Sequence, residues 1–346
     1  MESKNLVKAG VLTLILVITS IASREIYLRS KGHSISYDDG EALWSDKRAQ
    51  VYESSDKATV LIGSSRNKFD LDIDTWQSIT GEEAIQLAIE GASPLPILHN
   101  LANDTKFRGK LLIDVTEGLF FGLSSPRGVR VKAALDYYKD VTPSQRFSFK
   151  VNHILESQFV FLDKDFFSLN ALLQTAKIPP RKGFYGAPDF PVEFNKVTFA
   201  RQSKMTPRFE ADTTLQNQVK AIWTYGGNRI NKPQPISQVD SILSTVKKSI
   251  DKIKARGGNI IFVRTPVSGS LVEQEKKSFP REIYWDRLLA ITGCPGIHYQ
   301  DYSAIANFQC PEFSHLKYSD AIIYTKNLIQ IIEEKGWTFP NKQTSL

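Results

Sequence analysis

The sequence predicts an α/β fold with three layers, in which helices cover both faces of a mostly parallel five-stranded sheet that carries a large insertion. Short apolar runs that end in glycine or small polar residues recur along the chain, and stretches of helical periodicity separate them. Of the 346 residues, 41% are hydrophobic and 23% are charged, which is typical of a globular protein. The length exceeds the usual size of one domain, but a single α/β domain with an insertion accommodates it.

Each predicted strand is an apolar run closed by glycine, proline or a polar residue. The five runs cover 58–62, 84–89, 110–115, 259–265 and 296–299. Helical stripes follow them, at 98–102, 239–253, 283–292 and 318–332. In such a sheet the carboxyl ends of the parallel strands share one rim, and ligands bind there.

The N-terminus carries an apolar run from residue 6 to 22 that contains one charge, Lys8. The run is short for a membrane-spanning helix, so a signal anchor competes with a signal peptide cleaved after Ala22. A buried helix of a cytosolic protein is the weaker alternative, because a polar stretch follows. Both leading interpretations place the body outside the cytoplasm. The predicted organisation is an anchor or signal segment at 1–29, a polar stalk at 30–56, an α/β domain at 57–338 with an insertion at about 124–238, and a tail at 339–346.

The net charge of +7 favours an anionic setting, such as a membrane surface or an acidic polymer. The basic residues are spread along the chain without a nucleic-acid motif, so nucleic acid is not expected as a partner. Cys294 and Cys310 are the two cysteines. In an oxidising compartment they are expected to form a disulfide, and two separate thiols are the alternative. Their spacing fits no zinc site.

Three of the predicted connections at the rim carry residues suited to chemistry. Gly63-Ser64-Ser65 closes the first strand, Gly91 closes the second, and Glu312-Phe313-Ser314-His315 precedes the last helix. A serine hydroxyl is a weak nucleophile that needs a base within hydrogen-bond reach. Histidine supplies that base, and a carboxylate three residues earlier can fix its tautomer.

This combination resembles the SGNH/GDSL hydrolase superfamily, whose first block is Gly-Asp-Ser-like and whose last block is Asp-x-x-His. The resemblance implies that Ser65 is the nucleophile, His315 its base and Glu312 the residue that orients His315, with glutamate in place of the usual aspartate. It also implies that the backbone N–H groups of Ser65 and Gly91 form an oxyanion hole. The similarity covers roughly 57–123 and 239–336.

The third family block departs from the pattern, because residues 114–118 contain no asparagine where the family has one. Thr116 or Glu117 would occupy that position, and Thr116 is the candidate for the oxyanion role. The departure resembles the membrane-anchored branch of the superfamily, which acts in teichoic-acid D-alanylation and exopolysaccharide O-acetylation. Ser64 as nucleophile and Asp301 as the orienting acid are alternatives that fit the family pattern less well.

Arg66 and Arg264 are candidates for binding an anionic group of the substrate, and structural salt bridges are the alternative for both. The expected function is therefore that of an exported, membrane-anchored serine esterase or O-acyltransferase that acts on acyl esters of a cell-envelope glycan. It needs no metal or organic cofactor. An acylated glycan or acyl donor and a membrane-bound acyltransferase are the expected partners. The rival is a non-catalytic polysaccharide-binding or assembly protein on the same scaffold.

Overall fold

The computed structural model describes residues 2–53, 58–122, 128–175, 190–230 and 234–340. Two compact units divide the chain: the first contains 1–38 and 143–184, and the second contains 39–142 and 185–346. In chain order the helices are α1 Glu2–Ser30, α2 Glu41–Gln50, α3 Ser65–Asp70, α4 Ile73–Thr80, α5 Leu95–Asn103, α6 Glu117–Phe120, α7 Gly128–Asp140, α8 Pro143–Glu156, α9 Lys164–Phe167, α10 Leu169–Thr175, α11 Pro207–Ala211, α12 Thr213–Ile230, α13 Ile236–Lys254, α14 Ser270–Ser278, α15 Trp285–Thr292, α16 Ser303–Ala306 and α17 Tyr318–Glu334. The strands are β1 Ala58–Ile62, β2 Glu83–Gln86, β3 Lys110–Asp114, β4 Asn195–Val197, β5 Ser203–Met205, β6 Asn259–Arg264 and β7 Gly296–His298.

The first unit contains α1 and helices α8 to α10. Among the described residues, α1 is the one helix long and apolar enough to cross a membrane, and its most apolar part is not covered by protein. The carboxylate of Glu25 accepts hydrogen bonds from the backbone N–H groups of Val160 (2.9 Å) and Phe161 (3.3 Å). Arg29 donates to the carbonyl oxygen of Gln158 at 2.9 Å. The last turns of α1 are therefore bonded to the segment that follows α8.

The second unit confirms the predicted fold class. Its five-stranded sheet has the order β2-β1-β3-β6-β7, and every neighbouring pair is parallel. Alternate side chains of β1 enter different cores: Val60 and Ile62 join one apolar cluster and Leu61 joins the other. Because both faces are covered, β1, β3 and β6 each contain an unbroken apolar run, at 60–62, 111–113 and 260–263, which is why the sequence revealed them.

The predicted stalk at 30–56 is wrong for residues 41–50, which form α2. Trp44 is buried there and donates its indole N–H to the carbonyl oxygen of Leu87 at 2.9 Å. Buried Arg48 donates to Asn100 and Asp104, so polar residues pack α2 onto the domain and give the segment its stalk-like composition.

The predicted insertion at 124–238 is not one structural element. Part of α7 joins the core of the second unit through Val131 and Ala134. Residues 143–184 belong to the first unit, while the antiparallel pair β4–β5 and helices α11 and α12 belong to the second. Residues 176–189 of the insertion lie outside the described residues.

The predicted disulfide is not formed, because Cys294 and Cys310 are free and buried. Cys294 packs in the apolar cluster on one face of the sheet, and Cys310 packs in the cluster on the other face. The sheet therefore lies between two thiols that are close in sequence.

Candidate active site

The turn after β1 presents Ser65 at the carboxyl rim of the sheet. The chain leaves β1 at Ile62 and α3 begins at Ser65, which is partly exposed between the buried residues Ser64 and Arg66. Gly63 is required in this turn, since a Cβ atom there would lie 2.6 Å from the Cβ atom of Asp114. The glycine thus lets the turn approach the end of β3 closely.

Asp114 holds the turn in place. Its Oδ2 atom accepts hydrogen bonds from the Ser64 N–H at 3.2 Å and from the Ser64 hydroxyl at 3.1 Å. The Ser64 hydroxyl also lies 2.8 Å from the hydroxyl of Thr116. Ser64 is therefore engaged on its buried side, which leaves Ser65 as the more accessible of the two serines.

The loop before α17 brings a base to Ser65. The Nε2 atom of His315 lies 2.8 Å from the Ser65 Oγ atom. On the other side of the ring, Nδ1 lies 2.9 Å from Oε1 of Glu312, which also accepts the His315 backbone N–H at 2.6 Å. An ionised carboxylate only accepts hydrogen bonds, so the neutral ring carries its proton on Nδ1 and leaves Nε2 free to accept the serine proton. The structure thus brings Ser65, His315 and Glu312 together in the order that nucleophilic catalysis requires.

Helix α12 completes the surroundings of Glu312. The indole N–H of Trp223 donates to the Oε2 atom of Glu312, so both oxygens of this fully buried carboxylate are hydrogen-bonded. The rings of Phe69, Phe194 and Trp223 surround the His315 ring, with centroids 4.4, 5.9 and 5.7 Å away. Such an apolar wall excludes water and strengthens the polar contacts inside it.

A second contact fixes the loop that carries Glu312 and His315. Phe313 between them has a left-handed backbone with φ 80°, and its carbonyl oxygen accepts the Ser268 N–H at 2.9 Å. The Phe313 ring lies against Gly269, where a Cβ atom would be 2.3 Å from the ring. The segment after β6 therefore determines where this loop sits.

Arg66 and Arg264 are not available for substrate, which corrects the prediction for both. Each is buried, and each pairs with Glu275 beneath the rim. Arg264 also pairs with Glu117 at 2.8 Å. Burial alone would raise the pKa of Glu275, but the two guanidinium groups outweigh it and hold that pKa below its ordinary value. The network contains two arginines and two glutamates, which pair with one another, so we interpret it as structural.

Arg66 also connects the two parts of the site. Its Nε–H group donates to the hydroxyl of Ser314 at 3.2 Å. Ser314 directly precedes His315, and Arg66 directly follows Ser65. The arginine therefore joins the nucleophile turn to the histidine loop.

The predicted oxyanion positions lie on the neighbouring strand ends. The Ile89 N–H donates to the carbonyl oxygen of Gly63 at 3.3 Å, which continues the β1–β2 pairing to within two residues of Gly91. Gly91 has a left-handed φ of 64°. The hydroxyl of Thr116 lies 3.3 Å from Asp114 Oδ2 and joins the bonds that hold the Ser64 turn. The oxyanion role of Gly91 and of Thr116 stays a prediction.

A buried acid lies behind the histidine. Asp70, the last residue of α3, accepts the Leu316 N–H on Oδ1 at 2.9 Å, and its Oδ2 atom has no hydrogen-bond partner among the described residues. Burial raises the pKa of Asp70 to about 7, although the nearby His315 opposes this. Asp70 thus fixes the residue after His315 and binds a proton at mildly acidic pH.

Asp301, the alternative orienting acid, and His298, a further histidine at the end of β7, are engaged elsewhere. Asp301 accepts two hydrogen bonds from Arg281, at 2.6 and 2.7 Å, whereas the carboxylate beside Nδ1 of His315 is that of Glu312. His298 is buried and accepts the Gln300 N–H, and burial lowers its pKa to about 3. No group of three or more His, Cys, Asp or Glu side chains within the described ranges could hold a metal ion.

Sequence reasoning missed Asp114 and Trp223. An acid at the carboxyl end of a buried strand next to β1 is a detectable signal, and the rule that located Ser65 also applies to Asp114. Trp223 lies 89 residues before Glu312 in a region with no family counterpart, so nothing in the sequence connected them.

No protein-family model matches the chain, and a search of the curated proteins found no significant match. The resemblance to the SGNH superfamily therefore rests on the motif residues of the sequence.

Proposed function

We propose that the protein is a membrane-anchored serine esterase or O-acyltransferase of the SGNH type, with its active site in the second unit. The observation that carries the proposal is the continuous chain of contacts from a partly exposed serine hydroxyl, through an imidazole, to a fully hydrogen-bonded carboxylate. Ser65, His315 and Glu312 come from two segments separated by about 250 residues of sequence, and a structural histidine needs no such alignment.

In the proposed reaction the Ser65 Oγ atom attacks the carbonyl carbon of an ester while His315 Nε2 takes the serine proton. The resulting imidazolium is stabilised by Glu312. The tetrahedral intermediate collapses as His315 returns that proton to the departing alcohol, which leaves the acyl group on Ser65. Water or a sugar hydroxyl then gives its proton to His315 and attacks the acyl carbon. The bond between that carbon and the Ser65 Oγ atom breaks as His315 returns the proton to Oγ, which releases a carboxylic acid or a new ester and restores the Ser65 hydroxyl.

The acceptor that we propose is a glycan of the cell envelope, outside the cytoplasm. A net charge of +7 suits an anionic polymer, and α1 would hold the protein at the membrane. A membrane-bound acyltransferase that supplies the acyl group is the proposed partner.

A fluorophosphonate probe tests the chemistry, because it phosphonylates an activated serine and releases fluoride. We expect labelling of the full chain, loss of labelling in Ser65→Ala, and retention in the matched control Ser64→Ala. Labelling that is lost in Ser64→Ala and kept in Ser65→Ala would overturn the assignment. A folded protein that shows no labelling at all would favour the non-catalytic binding protein.

A second measurement separates the two reactions. With an acetyl ester as donor, an esterase releases acetate at a rate that an added glycan does not lower. A transferase instead forms glycan-bound acetyl groups at the expense of acetate, and both products should disappear in Ser65→Ala.

A further inference from the structure

Helix α8 of the first unit exposes its apolar side chains. Phe147, Val151, Ile154 and Leu155 are 71, 42, 61 and 43% exposed. Their spacing of four, seven and eight residues from Phe147 places them on one face of the helix. We call these four residues the apolar face of α8.

The opposite side of α8 is directed into the protein. Glu156 is buried, and the ring of His153 packs against Tyr37 and Phe149, with centroids 5.5 and 6.4 Å apart. A helix on the surface of a water-soluble protein has the reverse arrangement, with aliphatic residues inward and polar residues outward.

Helix α10 repeats the pattern nearby in the same unit. Leu169, Leu172 and Leu173, spaced by three and four residues, are each more than half exposed. Two helices of one small unit thus expose aliphatic side chains, which exceeds the scattered apolar residues of an ordinary surface.

The position of α8 relative to α1 identifies what covers this face. Glu25 and Arg29 bond to residues 158–161, which directly follow α8. Glu25 lies three residues beyond Ala22, where the apolar run ends, and a helical rise of 1.5 Å per residue gives a separation of about 5 Å along the axis. The headgroup layer on each side of a bilayer is roughly 5–7 Å thick. The end of α8 that carries Ile154 and Leu155 would therefore lie at the depth of the lipid headgroups.

Charge next to the apolar face fits the same surface. Arg146 and Lys150 on α8 are exposed, and Arg29 on α1 is half exposed. Cations that flank an exposed apolar stripe are typical of helices that lie in the interface of membranes with anionic lipids.

We propose that α8 and α10 lie in the membrane interface, with the apolar face of α8 at the boundary between the headgroups and acyl chains of an anionic bilayer. The first unit would then contact the membrane in two ways: α1 would span the bilayer, and α8 and α10 would lie in its interface. This inference rests on α1 spanning the bilayer, which is part of the proposed function, but not on the acyl chemistry.

The test uses the full chain in vesicles of phosphatidylcholine and phosphatidylglycerol. Single variants Ile154→Cys on the apolar face, Gln145→Cys on another side of α8 and Leu16→Cys in α1 are labelled with an environment-sensitive fluorophore. The unsubstituted chain, whose two cysteines are buried, serves as the blank. Lipids with a spin label high on the acyl chain then quench any fluorophore that reaches that depth.

We expect a blue-shifted emission and stronger quenching at position 154 than at position 145, together with quenching at position 16. Quenching at 16 with equal, weak quenching at 154 and 145 would keep the anchor and overturn the interfacial helix. A blue shift at 154 without lipid quenching would show that protein covers the face, either a second copy or a partner, and would also overturn it. The absence of quenching at all three positions would refute the anchor as well.

Discussion

Replacement of Gly269 by alanine tests whether the segment after β6 positions the histidine loop. Gly269 has φ 57°, and an added Cβ atom would lie 2.3, 2.4 and 2.9 Å from three atoms of the Phe313 ring. The ring must move away, and Phe313 lies between Glu312 and His315. Gly293 is a partial control, because its φ is 58° and, among the described residues, a Cβ atom there meets nothing within 4 Å. The backbone of the two glycines differs in ψ, which is 29° at Gly293 and −139° at Gly269.

The two substitutions differ in backbone cost and in steric cost. Gly293 has the left-handed helical backbone, which costs an alanine about 1–2 kcal/mol, so Gly293→Ala should lower the free energy of unfolding by that amount. The backbone of Gly269 is one that glycine almost alone adopts and costs an alanine about 1–3 kcal/mol, and overpacking adds about 1–3 kcal/mol, which gives a total of about 2–6 kcal/mol. A displacement of His315 by about 1 Å should also slow reaction at Ser65 by roughly 100-fold.

Urea unfolding followed by circular dichroism gives the stabilities, and the rate of fluorophosphonate labelling reports on the site. The double variant Gly269→Ala with Phe313→Ala removes the clash, so it should be less destabilised than the sum of its two single changes. Equal stability and equal labelling rates for Gly269→Ala and Gly293→Ala would refute the idea that the Phe313 ring positions His315.

Three further predictions follow from the buried groups. The raised pKa of Asp70 in the folded chain should make the unsubstituted protein lose stability as pH rises from about 4 to about 7, by about 4 kcal/mol at neutral pH. Asp70→Asn, which resembles the protonated acid, should remove this loss. Identical pH profiles of the free energy of unfolding in urea for the two proteins would contradict the prediction. Trp223→Phe removes a hydrogen-bond donor from the buried carboxylate of Glu312, so it should lower the free energy of unfolding by about 1.5–3 kcal/mol and slow fluorophosphonate labelling of Ser65. An unchanged free energy of unfolding and an unchanged labelling rate would show that this hydrogen bond is dispensable. Burial raises the pKa of the thiols of Cys294 and Cys310, so neither thiol should react with a thiol reagent at pH 8 in the folded protein. After denaturation both thiols should react without prior reduction, because they form no disulfide.

The sheet could be predicted because its strands are buried on both faces. A strand such as β1 is then buried at every position and carries an apolar run at 60–62, and the carboxyl ends of such strands must share one rim. That rule alone placed Ser65 and His315 near each other across the sequence. Each long strand ended within a few residues of its predicted end, since Gly63 and the polar residues after β6 interrupt the apolar runs.

The errors come from side chains whose partners lie far away in sequence. Arg48 gives α2 a polar composition, but its guanidinium group is buried against acceptors about 50 residues later. Arg66 and Arg264 at the rim looked available, but Glu275 from α14 pairs with both. Composition reports the charge of a residue and not the partner that neutralises it.

The insertion explains why the family resemblance covers only part of the site. Residues 190–230 contribute Phe194, whose ring lies beside that of His315, and Trp223, whose indole N–H donates to Glu312. Neither residue belongs to a motif block. A buried carboxylate needs a donor for each of its oxygens. The Oε1 atom of Glu312 accepts from His315 and its Oε2 atom accepts from Trp223, so the donors come from inside and outside the motif. The motif residues of this chain therefore cannot be understood without the segment that the motifs do not include.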